Sequence, residues 1–258
     1  MNLLSPVKHL VPMHERLRWN VMKAKATGER ELAYVNALCD HSFISVDIGA
    51  NRGVYSFLMR QHSKGVIAFE PNPFYADLVR RALKDVQVIE AAVSDHAGKT
   101  ILRVPLSQAV AGMGTIEVEN TLESIPVHQI EISILTLDSL QLPKMGFIKI
   151  DVEGHELAAL RGAAATIERC LPNFLIEAEE RHRKGAVLSV YGFLSKYGYS
   201  GLFHVNGKLH PMEEFNTASY QDISKEANPY VNNFIFVHES KLPQFYDSVR
   251  KSAPSHRD

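Results

Sequence analysis

The sequence predicts an α/β fold built on a doubly wound, mostly parallel sheet with antiparallel strands at its close. Three observations carry that reading. From Phe43 onward, short β-rich runs alternate with helical ones. A glycine-containing turn directly follows the first such run. The last two β-rich runs follow each other with no long helical pattern between them.

The first forty residues space apolar positions by three and four, at Leu17, Val21 and Ala24 and again at Leu32, Val35 and Leu38. That is the spacing of a helix with one buried side. Thr27-Gly28 divides the region into two helices, expected to form a cap on the main domain. "FISVDI" is then a strand, "GANRG" a turn, "VYSFLMRQH" a helix and "GVIAFE" a second strand. "PNPFYADLVRRALKD" is a helix with Pro73 suited to its first turn, and "VQVIEAAVSD" a third strand with its exit loop. Strand and helix in alternation specify parallel strands joined by right-handed crossovers.

In the middle, "GKTILRVP", "GTIEVE" and "HQIEISILTLDSL" are β-rich with no helix between them, so hairpins are expected there. The rhythm resumes with "MGFIKIDVEG" as strand, "HELAALRGAAATIERC" as one helix, "PNFLIEAEE" as strand and "AVLSVYGFLSKYG" as helix. "YSGLFHVNGKLH" and "VNNFIFVHE" make a final antiparallel pair. The expected organisation is a helical extension over residues 1–40 and one domain over 41–240. That domain carries a β-hairpin insertion near 98–135, and a tail covers 241–258.

Composition narrows the chemistry. At 258 residues with 45% hydrophobic content, the chain can build a packed core. Its 28 basic and 29 acidic residues leave a net charge of −1, with no overall footprint for nucleic acid or an anionic membrane. Cys39 and Cys170 have neither metal-ligand nor redox-motif spacing, and the opening residues lack the apolar core of a signal peptide. No run is long enough to span a bilayer. A soluble, cytoplasmic protein acting on a small molecule is the expectation.

In a doubly wound sheet, ligands sit beyond the carboxyl ends of the strands where strand order reverses. Gly49 and Gly53 provide a turn that lets backbone approach such a ligand. The dinucleotide pattern G-x-G-x-x-G fails, because Asn51 and Val54 stand where glycines are required. What remains is Asp47, Gly49 and Gly53, with Glu70 ending the second strand. An acid ahead of the turn suits a ligand carrying an amino group and no pyrophosphate, and S-adenosylmethionine is one. Glu70 is placed to accept hydrogen bonds from ribose hydroxyls.

"VDIGANRGVYS", "FEPNP", "AAVSD", "LDSL", "IKIDVEGHE" and "LRGA" resemble the FkbM-type methyltransferases, over roughly Ile44 to the end. The resemblance implies a Rossmann-like sheet of seven strands, the last antiparallel. It implies S-adenosylmethionine-dependent O-methylation of a sugar, glycolipid or polyketide-like acceptor. By position it implies that Asp47, Gly49, Asn51 and Gly53 line the methionine part of the cofactor. Glu70 takes the ribose, with Asn72 or Pro71 at its edge. Ser94 and Asp95 sit near adenine, and Asp151 lies beside the transferable methyl group.

Methylating an alcohol requires a group that accepts the hydroxyl proton. "DVEGHE" offers Asp151 and His155, whereas Glu153 and Glu156 are accounted for by the favourable placement of acids where a helix begins. "IEAEERHR" adds Glu177, Glu179 and His182 at the end of the fifth strand. Asp151, His155, Glu177 and His182 are therefore the catalytic candidates. Asp151 with Glu177 could hold a hard divalent cation, but no spacing specifies a metal, and none is expected. Two competing readings remain: a nicotinamide-dependent oxidoreductase with a degenerate glycine turn, and a binding module that keeps the cofactor pocket without transferring methyl groups.

Overall fold

In the computed structural model the described residues are 12–27, 29–107, 113–120, 122, 125–222, 224 and 229–252. Residues 1–11, Gly28, parts of the segments 105–115 and 206–231, and the end of the expected tail lie outside them.

The main sheet has eight strands in the order β3-β2-β1-β7-β8-β11-β9-β10. Five are β1 (Ile44–Ile48), β2 (Gly65–Phe69), β3 (Val86–Ile89), β7 (Met145–Ile150) and β8 (Asn173–Glu177), and they pair in parallel. β11 (Asn233–His238) runs antiparallel to both β8 and β9 (Tyr199–Val205). The expected seven strands are thus joined by an eighth. Asn206 and Gly207, both at positive φ, fold "YSGLFHVNGKLH" into a hairpin whose second arm is β10 (Lys208–Pro211). The Rossmann-like α/β architecture is as the sequence predicts.

All six residues of β7 are buried, as expected of a central parallel strand covered on both faces. One face packs against α5 (Glu156–Arg161), α6 (Ala164–Cys170) and α7 (Ala186–Ser195) through Ile48, Ile148, Ile150, Phe174 and Phe234. The opposite face meets α1 (Met13–Thr27), α2 (Val35–Leu38), α3 (Val54–Met59), α4 (Pro73–Ala82) and α8 (Leu242–Ser252). Leu17, Val21, Leu32, Val35 and Leu38 from the N-terminal segment are all buried in that second layer. Each such side chain contributes roughly 1.5–3 kcal/mol of burial. Residues 242–252, expected to be tail, form a helix whose Phe245 is buried there too.

Between β3 and β7 the chain leaves the main sheet. β4 (Ala92–Val93), β5 (Gly98–Pro105) and β6 (Val127–Leu135) make a separate sheet in the order β4-β6-β5. "GTIEVE" is not a strand: only Thr115 pairs, with Arg103, through two backbone hydrogen bonds of 2.9 and 3.0 Å. The single helix expected over "HELAALRGAAATIERC" is two. At Gly162, an added Cβ would lie 1.8 Å from the Ser94 carbonyl oxygen, so helix and β4 exit meet backbone to backbone. The Asp138 carboxylate then starts α6 by accepting from the amides of Ala165 (2.9 Å) and Thr166 (2.8 Å). The "LDSL" and "LRGA" motifs thus serve this junction.

Candidate active site

The chain enters the sheet at β1, runs outward to β3 and returns to β7 on the other side of β1. The ends of β1 and β7 therefore form the switch point at which such sheets hold ligands. A cleft of about 700 Å³, open to solvent, lies there. Gly49 and Asn51 line it from the β1 turn, and Glu70, Pro71, Asn72 and Tyr75 from the β2 end and α4. Ala92 and Val93 close one wall, Leu102, Gly114 and Ile116 come from the insertion, and Asp151, Glu153 and His155 from the β7 turn.

Gly49 has φ +82°, and an added Cβ would lie 1.8 Å from the Asp151 carbonyl oxygen. Only glycine lets these two strand ends approach so closely. Gly53 (φ +79°) opens α3 and packs on Val79, and Asn51 between them also has positive φ, 47°. Glu70 spans the turn: its carboxylate accepts from the Asn51 amide (2.6 Å) and the Asn72 amide (2.8 Å). Burial pushes this acid up to about 7, against the pull of those two amides. Asn72 in turn caps α4, accepting from the Phe74 amide at 3.0 Å ahead of Pro73.

Beyond β7, Glu153 is held at φ +53°, in the left-handed region that non-glycine residues seldom enter. Its carbonyl accepts from Thr115 Oγ1 (2.8 Å) and Asn120 Nδ2 (2.9 Å), so the insertion fixes the conformation. Its carboxylate lies 3.0 Å from His182 Nε2. Burial first, then the Asp151 and Glu179 charges, push the Glu153 acid up to about 8. Glu156 is a different case. It is fully buried, accepts from the Gly154 amide at 2.8 Å and is pushed by burial up to about 7.

His155 begins α5, with Nε2 2.9 Å from Ser94 Oγ and Nδ1 3.4 Å from Glu117 Oε2. Burial lowers its pKa. Both ring nitrogens are thus engaged by protein groups. Asp151 reaches the cleft half-buried, 3.7 Å from the Nζ of fully buried Lys149. That ammonium also donates to Asn233 Oδ1 at 3.3 Å and lies 5.0 Å from the Tyr55 ring centre.

Of the residues singled out from sequence, Gly49, Asn51, Glu70, Asn72, Asp151 and His155 line the cleft. The others stand behind or beside it. Asp47 is buried under the turn, accepting from Ser56 Oγ at 2.6 Å, and burial pushes it up to about 6. Ser94 is buried against His155, and Asp95 turns outward to His96 at 2.8 Å. Glu177 accepts from Asn232 Nδ2 at 2.8 Å, and its acid is raised well above the ordinary range by burial. His182 is buried between Glu153 and Glu179. Burial alone would raise Glu179 too, but the fork of Arg181 (2.7 and 2.9 Å) and the Tyr230 hydroxyl hold it down at about 2.

Glu153, Glu117 and Ile116 were not singled out as site residues by sequence reasoning, whereas Gly114 belongs to the glycine-containing stretch "PLSQAVAGMGT", which reads from sequence equally as a plain surface loop or as a loop over a cleft. The positive φ of Glu153 is legible only as a weak turn signal ahead of Gly154. Glu117 and Ile116 have no local signature. Among the described residues, no group of three or more His, Cys, Asp or Glu is arranged to hold a metal ion. No helix of the described residues is long and apolar enough to cross a membrane.

The methyltransferase FkbM domain matches residues 47–200, from the acid of the β1 turn to the start of β9. The chain belongs to the FkbM methyltransferase family. A relative of this family member, the hexuronic acid methyltransferase AglP of Haloferax volcanii, is 28% identical over 134 residues, which are 50% of this chain and 53% of that protein. The match thus spans about half the length of the relative. A solved FkbM methyltransferase from Methylobacillus flagellatus KT has 18% identity and a TM-score of 0.49, covering 76% of this chain and 44% of that one. An O-methyltransferase from Bacillus cereus, solved with SAH, has 12% identity and a TM-score of 0.45 over 91% and 92% of the two chains.

Proposed function

We propose that this methyltransferase moves the methyl group of S-adenosylmethionine onto a hydroxyl oxygen of a sugar or another small, sugar-bearing acceptor. The observation that carries the reading is the pairing of the Gly49 turn with Glu70 and Asp151 around one cleft at the switch point. The cradle fits the cofactor: it has close-approach glycine backbone, an acid at the end of β2, and carboxylates rather than basic groups facing a cation. Gly49 and Asn51 would hold the methionine part, Glu70 the ribose, and Asn72 and Tyr75 the neighbouring wall. When bound, the cofactor supplies an electrophilic methyl group on a sulfonium.

The protein's share is to aim the acceptor oxygen and take its proton. Asp151 is the group best placed to receive that proton, being in the cleft and still reached by solvent. His155 is the weaker candidate, since Ser94 and Glu117 already occupy its two nitrogens. It orders the cleft wall instead. Glu177 and His182 act from behind, through Asn232 and Glu153. The name of the Haloferax relative supports a sugar acceptor.

The test is incubation with isotopically labelled S-adenosylmethionine and a panel of neutral glycosides, hexuronates and glycolipids, with the product located by NMR. An O-methyl ether on a sugar is expected. A methyl ester on a carboxylate, or transfer to nitrogen, would overturn the hydroxyl assignment.

A further inference from the structure

The protein has one tryptophan, and it is on the surface: Trp19 of α1 is 69% exposed and Met22, one turn on, is 65% exposed. Helix α1 is fixed in orientation, because Leu17, Val21 and Ala24 bury its inner side in the core shared with α3 and α4. At 3.6 residues per turn, Trp19, Met22 and Ala26 then form an outward ridge. Glu15 begins the ridge and pairs with Arg18 at 3.2 Å on one flank, while Arg16 and Lys23 lie exposed on the other. Within residues 13–27 there are four basic residues and one acid, a net of +3 with histidine neutral, whereas the whole chain carries −1.

We propose that this outer face of α1 docks the protein on an anionic lipid surface. Trp19 and Met22 lie side by side as one apolar patch rimmed by polar groups, the arrangement that marks a contact surface. Tryptophan favours the lipid headgroup region, where its ring is buried and its N–H stays hydrated. Arg16 and Lys23, on the flank opposite Arg18, meet anionic headgroups while their stems lie along the apolar boundary. A second copy of the chain fits this face less well, because a two-fold contact would set the basic flank against itself. The near-neutral charge of the whole chain conceals the patch, since the chain outside residues 13–27 carries a net −4, which is −1 less +3. The inference is independent of the methyl-transfer reading.

The single tryptophan is its own reporter. The full chain is titrated with vesicles of phosphatidylcholine alone and of phosphatidylcholine mixed with phosphatidylglycerol, following Trp19 emission and co-flotation. A blue shift and flotation with the anionic vesicles only, both reversed by high salt, are expected. Arg16→Gln and Lys23→Gln should each weaken binding about fivefold, with unchanged circular dichroism. Trp19→Ser should lower flotation as well. No shift with either vesicle, equal binding to neutral vesicles, or undiminished binding by the charge variants would overturn the proposal. So would a shift produced by a single-stranded oligonucleotide and not by vesicles, which would make the patch a nucleic-acid contact.

Discussion

Glu70→Gln should flatten the pH dependence of stability while weakening the cofactor site. The Glu70 acid is carried from 4.5 to about 7 on folding, chiefly by burial. A carboxylic acid with a raised folded pKa binds more protons folded than unfolded, so its contribution to stability falls as pH rises between those two values. Each pKa unit is worth about 1.4 kcal/mol, so the fall amounts to about 3 kcal/mol. Glutamine does not titrate, but its single oxygen can serve only one of the two backbone amides, and its NH2 is turned against the N–H of the other. The variant should therefore lie about 1–3 kcal/mol below the wild type near pH 4.5, and the difference should move in its favour by about 3 kcal/mol as pH rises past 7. Glu153 and Glu156, also raised, are common to both proteins and drop out of the comparison, while Asp47, whose charge bears on Glu70, adds a smaller part. Urea unfolding of both proteins at a series of pH values measures the difference directly. A difference that stays flat with pH, or that favours the wild type increasingly as pH rises, would refute the reasoning.

Gly49→Ala should cost more than the ~1–2 kcal/mol of left-handed backbone alone, because its Cβ would meet the Asp151 carbonyl oxygen. Thermal unfolding checks this, and a variant as stable as the wild type would contradict the close approach. Glu117→Gln should loosen His155 and lower turnover several-fold with little change in global stability, since it removes one long contact at the cleft wall. Identical kinetics would leave the insertion without a part in ordering the site. Asp151→Asn should preserve cofactor affinity and depress turnover on a hydroxyl acceptor. Unchanged turnover would remove Asp151 as proton acceptor.

The sheet was readable because its determinants are local: apolar runs, glycine turns and the acids that end strands. Glu70 stood out in the sequence because it terminates β2 beside the glycine turn. The long-range features were not readable in this way. Asp47 looked like a ligand contact by its place before the turn, but Ser56 nine residues on claims its carboxylate. Asp95 had the right strand exit, yet His96 draws it outward. Glu153 passed for a helix-start acid, whereas Thr115, Asn120 and His182, distant in sequence, lock it at the cleft in a left-handed conformation. The break between α5 and α6 depends on the Ser94 backbone pressing on Gly162, which no periodicity within the helix records.

Calorimetric titration of the purified protein with S-adenosylmethionine, its demethylated product and NAD(H) tests the central claim most directly. The cleft geometry predicts saturable binding of the first two and none of NAD(H), with affinity for the first two weakened in the Glu70→Gln variant. Binding of NAD(H) alone, or cofactor binding indifferent to Glu70, would contradict the account.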